Sequence, residues 1–452
     1  MAGRNADDET HGASGADKAA GVAGNASTSE STSHAAAHAA AGAAGGTSAA
    51  EPSRADHHTA GGANHADHAD HAGATGAADA EAGADAAAAQ DGHANGRRPV
   101  RIEAWRDDTI LDGYQRATVH LGPDGEDDDA IATFIRKDPE RLTLRDRLRR
   151  LHFRMIGKPL AIMYLHGWND YFYRRHASEY WESMGVAFYA VDLRRFGRSY
   201  RPGQTAGYIE DLHAYFAELD ALRDVIVREM GDRVRILGIG HSEGGLIMSL
   251  WAAHERPHHV RSLALNSPWL ELQGNTMFRL ATTPVLKGFL LAGRKTPLPL
   301  NDPGFYGRTI EKATGGEWDY PSSAAVSGAH FQPRAAWMQA IFNGQAEVAG
   351  GLDIRVPVLV CTSDRSMIIQ GSWDERMRES DVVLDVIAIR QAALKLGDVV
   401  SVARIHGGIH DLTMSRTAAR RRYFSIVTAW ANETAWRTFF PAPMVKAALR
   451  KL

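Results

Sequence analysis

The stretch "ILGIGHSEGGLIMSL", residues 236–250, decides how the rest of the chain is read. An apolar run suited to a buried strand stops at Gly240. Ser242 follows, flanked two residues away on each side by Gly240 and Gly244, and a helix-like apolar pattern begins at once. A turn this tight between strand and helix strains the backbone of its central residue, so its neighbours must be small. This is the G-x-S-x-G nucleophile elbow, which lifts one hydroxyl above the sheet. Gly245 gives the helix further room, and the helix N-terminus adds positive potential below the serine, where acyl transfer develops negative charge.

Working outward, the folded part alternates strands and helices. "QRATVHLG" (115–122) and "DAIATFIRK" (129–137), joined by "PDGED", predict a β-hairpin, and 140–155 a short helix. "KPLAIMYLHGWND" (158–170) is apolar without alternation and ends in His166-Gly167, as expected of a strand buried on both faces. Helices at 174–185, 209–231 and 245–257 then separate strands at 186–199, 233–240 and 260–268. After a Pro- and aromatic-rich break at about 270–352, the order resumes with a strand at 355–364, a helix at 385–397, a strand leading to "IHGGIHD" (405–411) and a closing helix at 416–435. Such alternation implies right-handed βαβ crossovers and a mostly parallel sheet.

A serine needs a base. On this architecture the histidine follows the last strand, in the order Ser, acid, His. His410 sits on a glycine-loosened loop and is preferred to His406, which reads as still within the strand.

Residues 1–98 differ in kind. Residues 1–97 hold no Leu, Ile, Phe, Trp or Tyr and one valine, Val22. They cannot bury enough apolar surface to offset the entropy of ordering, and are read as a disordered low-complexity tail. Nine of the chain's 21 histidines lie there, in tracts such as "HHTAGGANHADHADHAG" (57–73). Without a recurring ligand spacing, these read as solvated chain rather than a metal site. The remaining 354 residues, 99–452, suffice for one large α/β domain with an insertion. A net charge of −3 gives no nucleic-acid footprint. The single cysteine, Cys361, rules out an internal disulfide and fits a reducing compartment. No secretory signal pattern and no apolar run of membrane-spanning length occur, so a cytoplasmic location is expected.

With "YLHGWND" (164–170), "DLRRFGRS" (192–199), "GHSEGG" (240–245) and "GGIHDLTMS" (407–415) standing in that order, residues 115–435 resemble the α/β-hydrolase superfamily. Within it they look most like monoacylglycerol lipase and lysophospholipase-like serine hydrolases. The resemblance implies an α/β-hydrolase fold, a mostly parallel sheet flanked by helices under a cap insertion. It also implies an oxyanion hole from the backbone amides of Trp168, after His166-Gly167, and Glu243. "DLRRFGRS" is expected to shape its loop rather than perform chemistry. Two acids qualify. Asp364 ends its strand where the acid is expected. Asp381, with Asp385 four residues on, reproduces the family's spacing and lies 29 residues before His410, against 46 for Asp364. Asp381 is preferred, which makes 365–380 a local insertion; Asp364 stays the alternative.

The expected activity is cleavage of carboxylic esters by a Ser-His-Asp triad, without metal or cofactor. Among the cap's apolar residues, Trp269, Phe278, Phe289, Leu290, Phe305, Tyr306, Trp318, Tyr320, Phe331 and Trp337 are candidates to line an acyl pocket. The expected partners are a small-molecule acyl ester and a transient lipid surface met through the cap, with no nucleic acid. The alternatives are an amidase or aminopeptidase, with Glu311, Glu317 and Asp319 as cap acids for an ammonium group, and a catalytically inactive binding protein.

Overall fold

The computed structural model describes residues 100–271, 276–299, 303–319, 331–368, 371–438 and 440–452, with backbone alone for 276–283. The tail expected at 1–98 lies outside the described residues, as do Tyr320 and the side chain of Phe278.

Ten strands form one sheet: β1 (Arg101–Ile102), β2 (Arg106–Asp107), β3 (Tyr114–Gly122), β4 (Ala130–Lys137), β5 (Leu160–Leu165), β6 (Ala187–Asp192), β7 (Arg235–His241), β8 (Val260–Asn266), β9 (Val358–Ser363) and β10 (Val400–Ile405). Their spatial order is β1-β3-β4-β6-β5-β7-β8-β9-β10, with β2 paired to β3. The expected hairpin is β3–β4, antiparallel, and β4 also meets β6 antiparallel. All pairings from β6 to β10 are parallel. The described helices are α1 (Leu144–Met155), α2 (Arg175–Glu182), α3 (Phe216–Met230), α4 (Glu243–Glu255), α5 (Thr276–Ala292), α6 (Phe305–Ile310), α7 (Ala335–Gly350), α8 (Val386–Ala393), α9 (Thr417–Ala431) and α10 (Ala442–Leu449). None is long and apolar enough to cross a membrane.

β5 shows why the central strands carry no polar alternation. Ala161, Met163 and Leu165 enter a core shared with Leu219 of α3, Leu246 of α4 and Ile341 of α7. Leu160, Ile162 and Tyr164 enter the opposite core, with Trp181 of α2, Phe424 of α9 and Phe153 of α1. Successive side chains point to opposite faces, and both faces are covered by helices, so every position must be apolar.

Two expectations change. The helix expected over 209–231 opens as a 3₁₀ turn, Leu212–Tyr215, because the Asp211 carboxylate accepts the backbone N–H of His213 and caps a tighter turn; α3 follows. β10 is the edge strand, with Val402 40% exposed, and it ends at Ile405. His406 therefore lies beyond the strand, in a turn completed by Gly407 at φ 68°, and not within it. The two-residue strands β1 and β2 are too short to show a period, and α10 was not anticipated.

Candidate active site

Ser242 follows β7 with φ 53° and ψ −121°, in the positive-φ region that costs a non-glycine residue about 1–3 kcal/mol. The surroundings hold it there. Its N–H donates to Asn266 O at 3.1 Å, and its carbonyl accepts from Gly245 at 2.9 Å and Trp269 at 3.0 Å. The glycines are required by contact. A Cβ on Gly244 would lie 2.1 Å from the His166 carbonyl oxygen, and one on Gly240 would lie 2.6 Å from the Gly244 carbonyl oxygen. Gly167 passes so close that a Cβ there would sit 2.9 Å from Ser242 Cβ.

The structure brings Ser242, His410 and Asp381 together and leaves Asp364 apart. His410 Nε2 is 3.0 Å from Ser242 Oγ, and His410 Nδ1 is 3.0 Å from Asp381 Oδ2. Asp381 is fully buried, and its other oxygen accepts the backbone N–H groups of Val383 and Leu384, both at 2.8 Å. These bonds fix the carboxylate with one oxygen free for the imidazole. The chain leaves β9, passes through a 3₁₀ turn (Glu375–Glu379) and returns, so that Asp381 bridges to Ser366 beside the strand end. That excursion is why the acid stands 17 residues beyond Asp364. Asp364 instead closes the turn after β10, accepting from Gly407 N at 3.1 Å and facing His406 Nδ1 at 3.3 Å.

His410 is packed between His241 and Tyr306, with ring centroids 4.9 and 5.5 Å away. Burial, opposed by Asp411 and aided by His410, brings the His241 imidazole down to about 4, so it is neutral at pH 7. His241 Nδ1 lies 3.0 Å from Asn266 O. The loop bearing His410 is tied down by a buried network. Arg174 Nε donates to Asp411 Oδ2 at 2.6 Å and its Nη2 to Asp170 Oδ2 at 2.8 Å, while Asn266 Nδ2 and Thr413 N donate to Asp411 Oδ1. Burial alone would raise the Asp411 carboxyl, but Arg174, together with His241 and the hydrogen bonds, holds it well below the usual range.

The loop after β5 lies over the elbow. His166 Nε2 accepts from Leu193 N at 3.1 Å, which assigns its proton to Nδ1, 2.8 Å from Gly167 O. Burial lowers this imidazole's pKa, keeping it neutral. Among the described residues, the Trp168 and Glu243 backbone amides show no hydrogen-bond partner. The Glu243 side chain is buried and pushed up to about 8 by that burial, although Trp337 Nε1 donates to it at 2.9 Å. Trp337 in turn stacks on Trp168 with centroids 3.8 Å apart.

Of the cap aromatics, Trp269, Phe331 and Trp337 join Trp168 and Phe196 in one cluster over the elbow. Phe305 packs on Trp373 instead, and Trp318 on His176, with its Nε1 bonded to Met414 O. The "DLRRFGRS" loop is an ion-pair scaffold: Arg198 joins Asp108 and Asp192, and Arg194 joins Glu218. Arg174, Asp411 and His241 were missed by sequence reasoning. The one available signal was their adjacency to motif residues, as in "HD" at 410–411.

The family described as serine aminopeptidase, S33, matches residues 158–413, more than half of the chain and all of the site above. Phospholipase YtpA of Bacillus subtilis (strain 168) is 30% identical over 118 residues, which are 26% of this chain and 43% of that protein, so the match spans less than half of the relative. A monoacylglycerol lipase of Paleococcus ferrophilus is similar in structure, with 16% identity, a TM-score of 0.41 and coverage of 65% of this chain and 95% of that one. So is a soluble variant of the Saccharomyces cerevisiae monoglyceride lipase in complex with a substrate analog, with 12% identity, a TM-score of 0.48 and coverage of 70% and 94%. With a mostly parallel sheet, a strained serine on the elbow after β7 and a family match spanning 158–413, the chain belongs to the serine aminopeptidase S33 family of α/β hydrolases.

Proposed function

We propose that this hydrolase cleaves carboxylic esters through an acyl-enzyme on Ser242, with monoacylglycerol or lysophospholipid-like lipids as its substrates. The observation that carries the reading is the imidazole of His410 bridging Ser242 Oγ and the Asp381 carboxylate at 3.0 Å on each side. In this account His410 Nε2 takes the serine proton as Oγ attacks the acyl carbon. Asp381 holds the proton on Nδ1 and stabilises the imidazolium. The Trp168 and Glu243 amides receive the oxyanion, aided by the N-terminus of α4. His410 then protonates the departing alcohol. A water, deprotonated by the same nitrogen, attacks the acyl carbon and frees the acid.

The lipid reading is supported by the apolar cluster of Trp168, Phe196, Trp269, Phe331 and Trp337, and by the partial match to a protein named a phospholipase. The same cap is proposed to touch lipid surfaces in passing. Buried Cys361 supports the cytoplasm as its location. The aminopeptidase reading draws on the family's description, but two of its three cap acids are engaged: Glu317 with Arg420 and Asp319 with Lys312.

A fluorophosphonate probe with wild type and Ser242→Ala tests the chemistry, and p-nitrophenyl esters of increasing chain length test the substrate class. Ser242-dependent labelling and faster turnover of medium and long chains are expected. Absent labelling would return the chain to the inactive-binder reading, and a strict preference for acetate would remove the lipid substrates.

A further inference from the structure

Far from the serine, three segments meet in a donor set that the hydrolase chemistry does not use. His213 lies in the 3₁₀ turn before α3, His254 in the last turn of α4, and Glu347 near the end of α7. One ligand atom from each falls within 4.8 Å of the others. Glu347 offers one oxygen to each imidazole: Oε1 is 3.1 Å from His213 Nε2, and Oε2 is 2.7 Å from His254 Nε2. The two rings lie 4.8 Å apart, tilted by 57°.

We propose that His213, His254 and Glu347 form a binding site for a divalent transition-metal ion, with zinc as the first candidate. Two imidazole nitrogens and a carboxylate select zinc, copper or nickel over calcium and magnesium, which prefer all-oxygen shells. Zinc bonds of about 2.0–2.1 Å place tetrahedral ligand atoms roughly 3.3 Å apart. The two Glu–His separations, 3.1 and 2.7 Å, lie below that figure and all three ligand atoms fall within 4.8 Å of one another, so a rotation of the half-exposed His254 ring closes the set.

An independent observation points the same way. His213 Nε2 is shielded from solvent and, despite its distance from Glu347, is not aligned to make a hydrogen bond; among the described residues it has no hydrogen-bond partner. A buried nitrogen within 3.1 Å of a carboxylate oxygen, with no hydrogen bond of its own, suits a lone pair directed at an ion. Asp211 stands next to that imidazole, close to but beyond hydrogen-bond reach of its second nitrogen. Its Oδ1 accepts the His213 backbone N–H at 2.9 Å and lies 3.7 Å from His213 Nδ1. The carboxyl end of α4 adds a favourable dipole for positive charge beside His254.

Position argues for a structural ion. α4 starts at Ser242 and α7 carries Trp337, which touches Glu243 and Trp168. At 1.5 Å per residue, the ten residues from Trp337 to Glu347 put the site roughly 15 Å down these helices. An ion there clips the returning cap helix to the helix that presents the serine. It leaves one coordination position for water.

The test uses the full-length chain, stripped with EDTA and titrated with Zn²⁺, read by thermal unfolding and by equilibrium dialysis. At 100 times Kd, binding to the folded state raises the folded-to-unfolded ratio about 100-fold, a Tm rise of roughly 3–4 °C for a domain of about 350 residues. Wild type and Ser242→Ala should show that rise alike, which separates this site from the serine chemistry. Glu347→Gln and the His213→Ala/His254→Ala double variant should lose it and bind one zinc fewer. These side chains are about one-third to one-half exposed, so the variants keep the fold, and Glu347→Gln preserves shape. No Tm rise in wild type overturns the proposal. So does an equal rise in the variants, which would place the stabilising zinc on other residues of the folded chain.

Discussion

Asn in place of Asp381 isolates the orientation of His410 with little other disturbance. Asp381 Oδ1 holds two backbone N–H groups at 2.8 Å, and Oδ2 faces His410 Nδ1 at 3.0 Å. In Asp381→Asn the amide oxygen must stay on the Val383 and Leu384 donors. Flipping it would leave two buried N–H groups unmet, at about 1–3 kcal/mol each. The amide NH₂ therefore faces Nδ1 and donates, forcing the imidazole proton onto Nε2. An Nε2–H cannot accept the serine proton. A wrong tautomer of this kind lowers kcat by about 10⁴-fold in a serine triad, equivalent to about 5 kcal/mol of barrier. The assay is p-nitrophenyl ester hydrolysis at pH 7.5, with fluorophosphonate labelling rates as a second readout and circular dichroism to check folding. Asp364→Asn, whose side chain meets the His406–Gly407 turn and Arg365, should stay within about threefold of wild type. An Asp381→Asn enzyme within tenfold of wild type, or an Asp364→Asn enzyme slowed a thousandfold, would refute the assignment.

Three further outcomes follow from the same contacts. Glu243 titrates from its ordinary 4.5 up to about 8 in the fold, so the folded state holds the proton more tightly. Its contribution is complete below pH 4.5 and is lost as pH rises towards 8, at most about 5 kcal/mol over that window; urea midpoints should show wild type losing more than Glu243→Gln between pH 5 and 8.5. Arg174→Met strands the buried Asp411 and Asp170 carboxylates and should cost about 3–5 kcal/mol in denaturant melts, with kcat falling as the His410 loop loosens. Gly244→Ala, whose Cβ would meet the His166 carbonyl oxygen at 2.1 Å, should lose Ser242 labelling even where soluble protein is recovered.

The parts of the site that are local in sequence were legible, and the parts joined across the chain were not. The elbow could be read because strand, glycines, serine and helix are adjacent in 236–250. Asp381 could be preferred to Asp364 because a helix and a strand fill the interval to His410 with little left over. The Arg174–Asp411 pair joins residues 237 positions apart, and each charge alone reads as solvated surface. Its burial depends on the sheet bringing the β5 and β10 loops to one edge. His406 was misplaced because an edge strand ending at Ile405 looks, in sequence, like one that continues to the glycines at 407 and 408. Tyr306, a candidate to line the acyl pocket, packs edge-on to His410, a contact made by the path of the cap rather than by composition.

The most direct test of the central claim is acid-quenched peptide mapping after brief exposure to a p-nitrophenyl ester. Trypsin should release Ile236–Arg261, since Arg256 precedes a proline. The account predicts one acyl group on that peptide at Ser242, absent in Ser242→Ala and strongly reduced in His410→Ala. An acyl group on another residue, or ester turnover undiminished in Ser242→Ala, would contradict it.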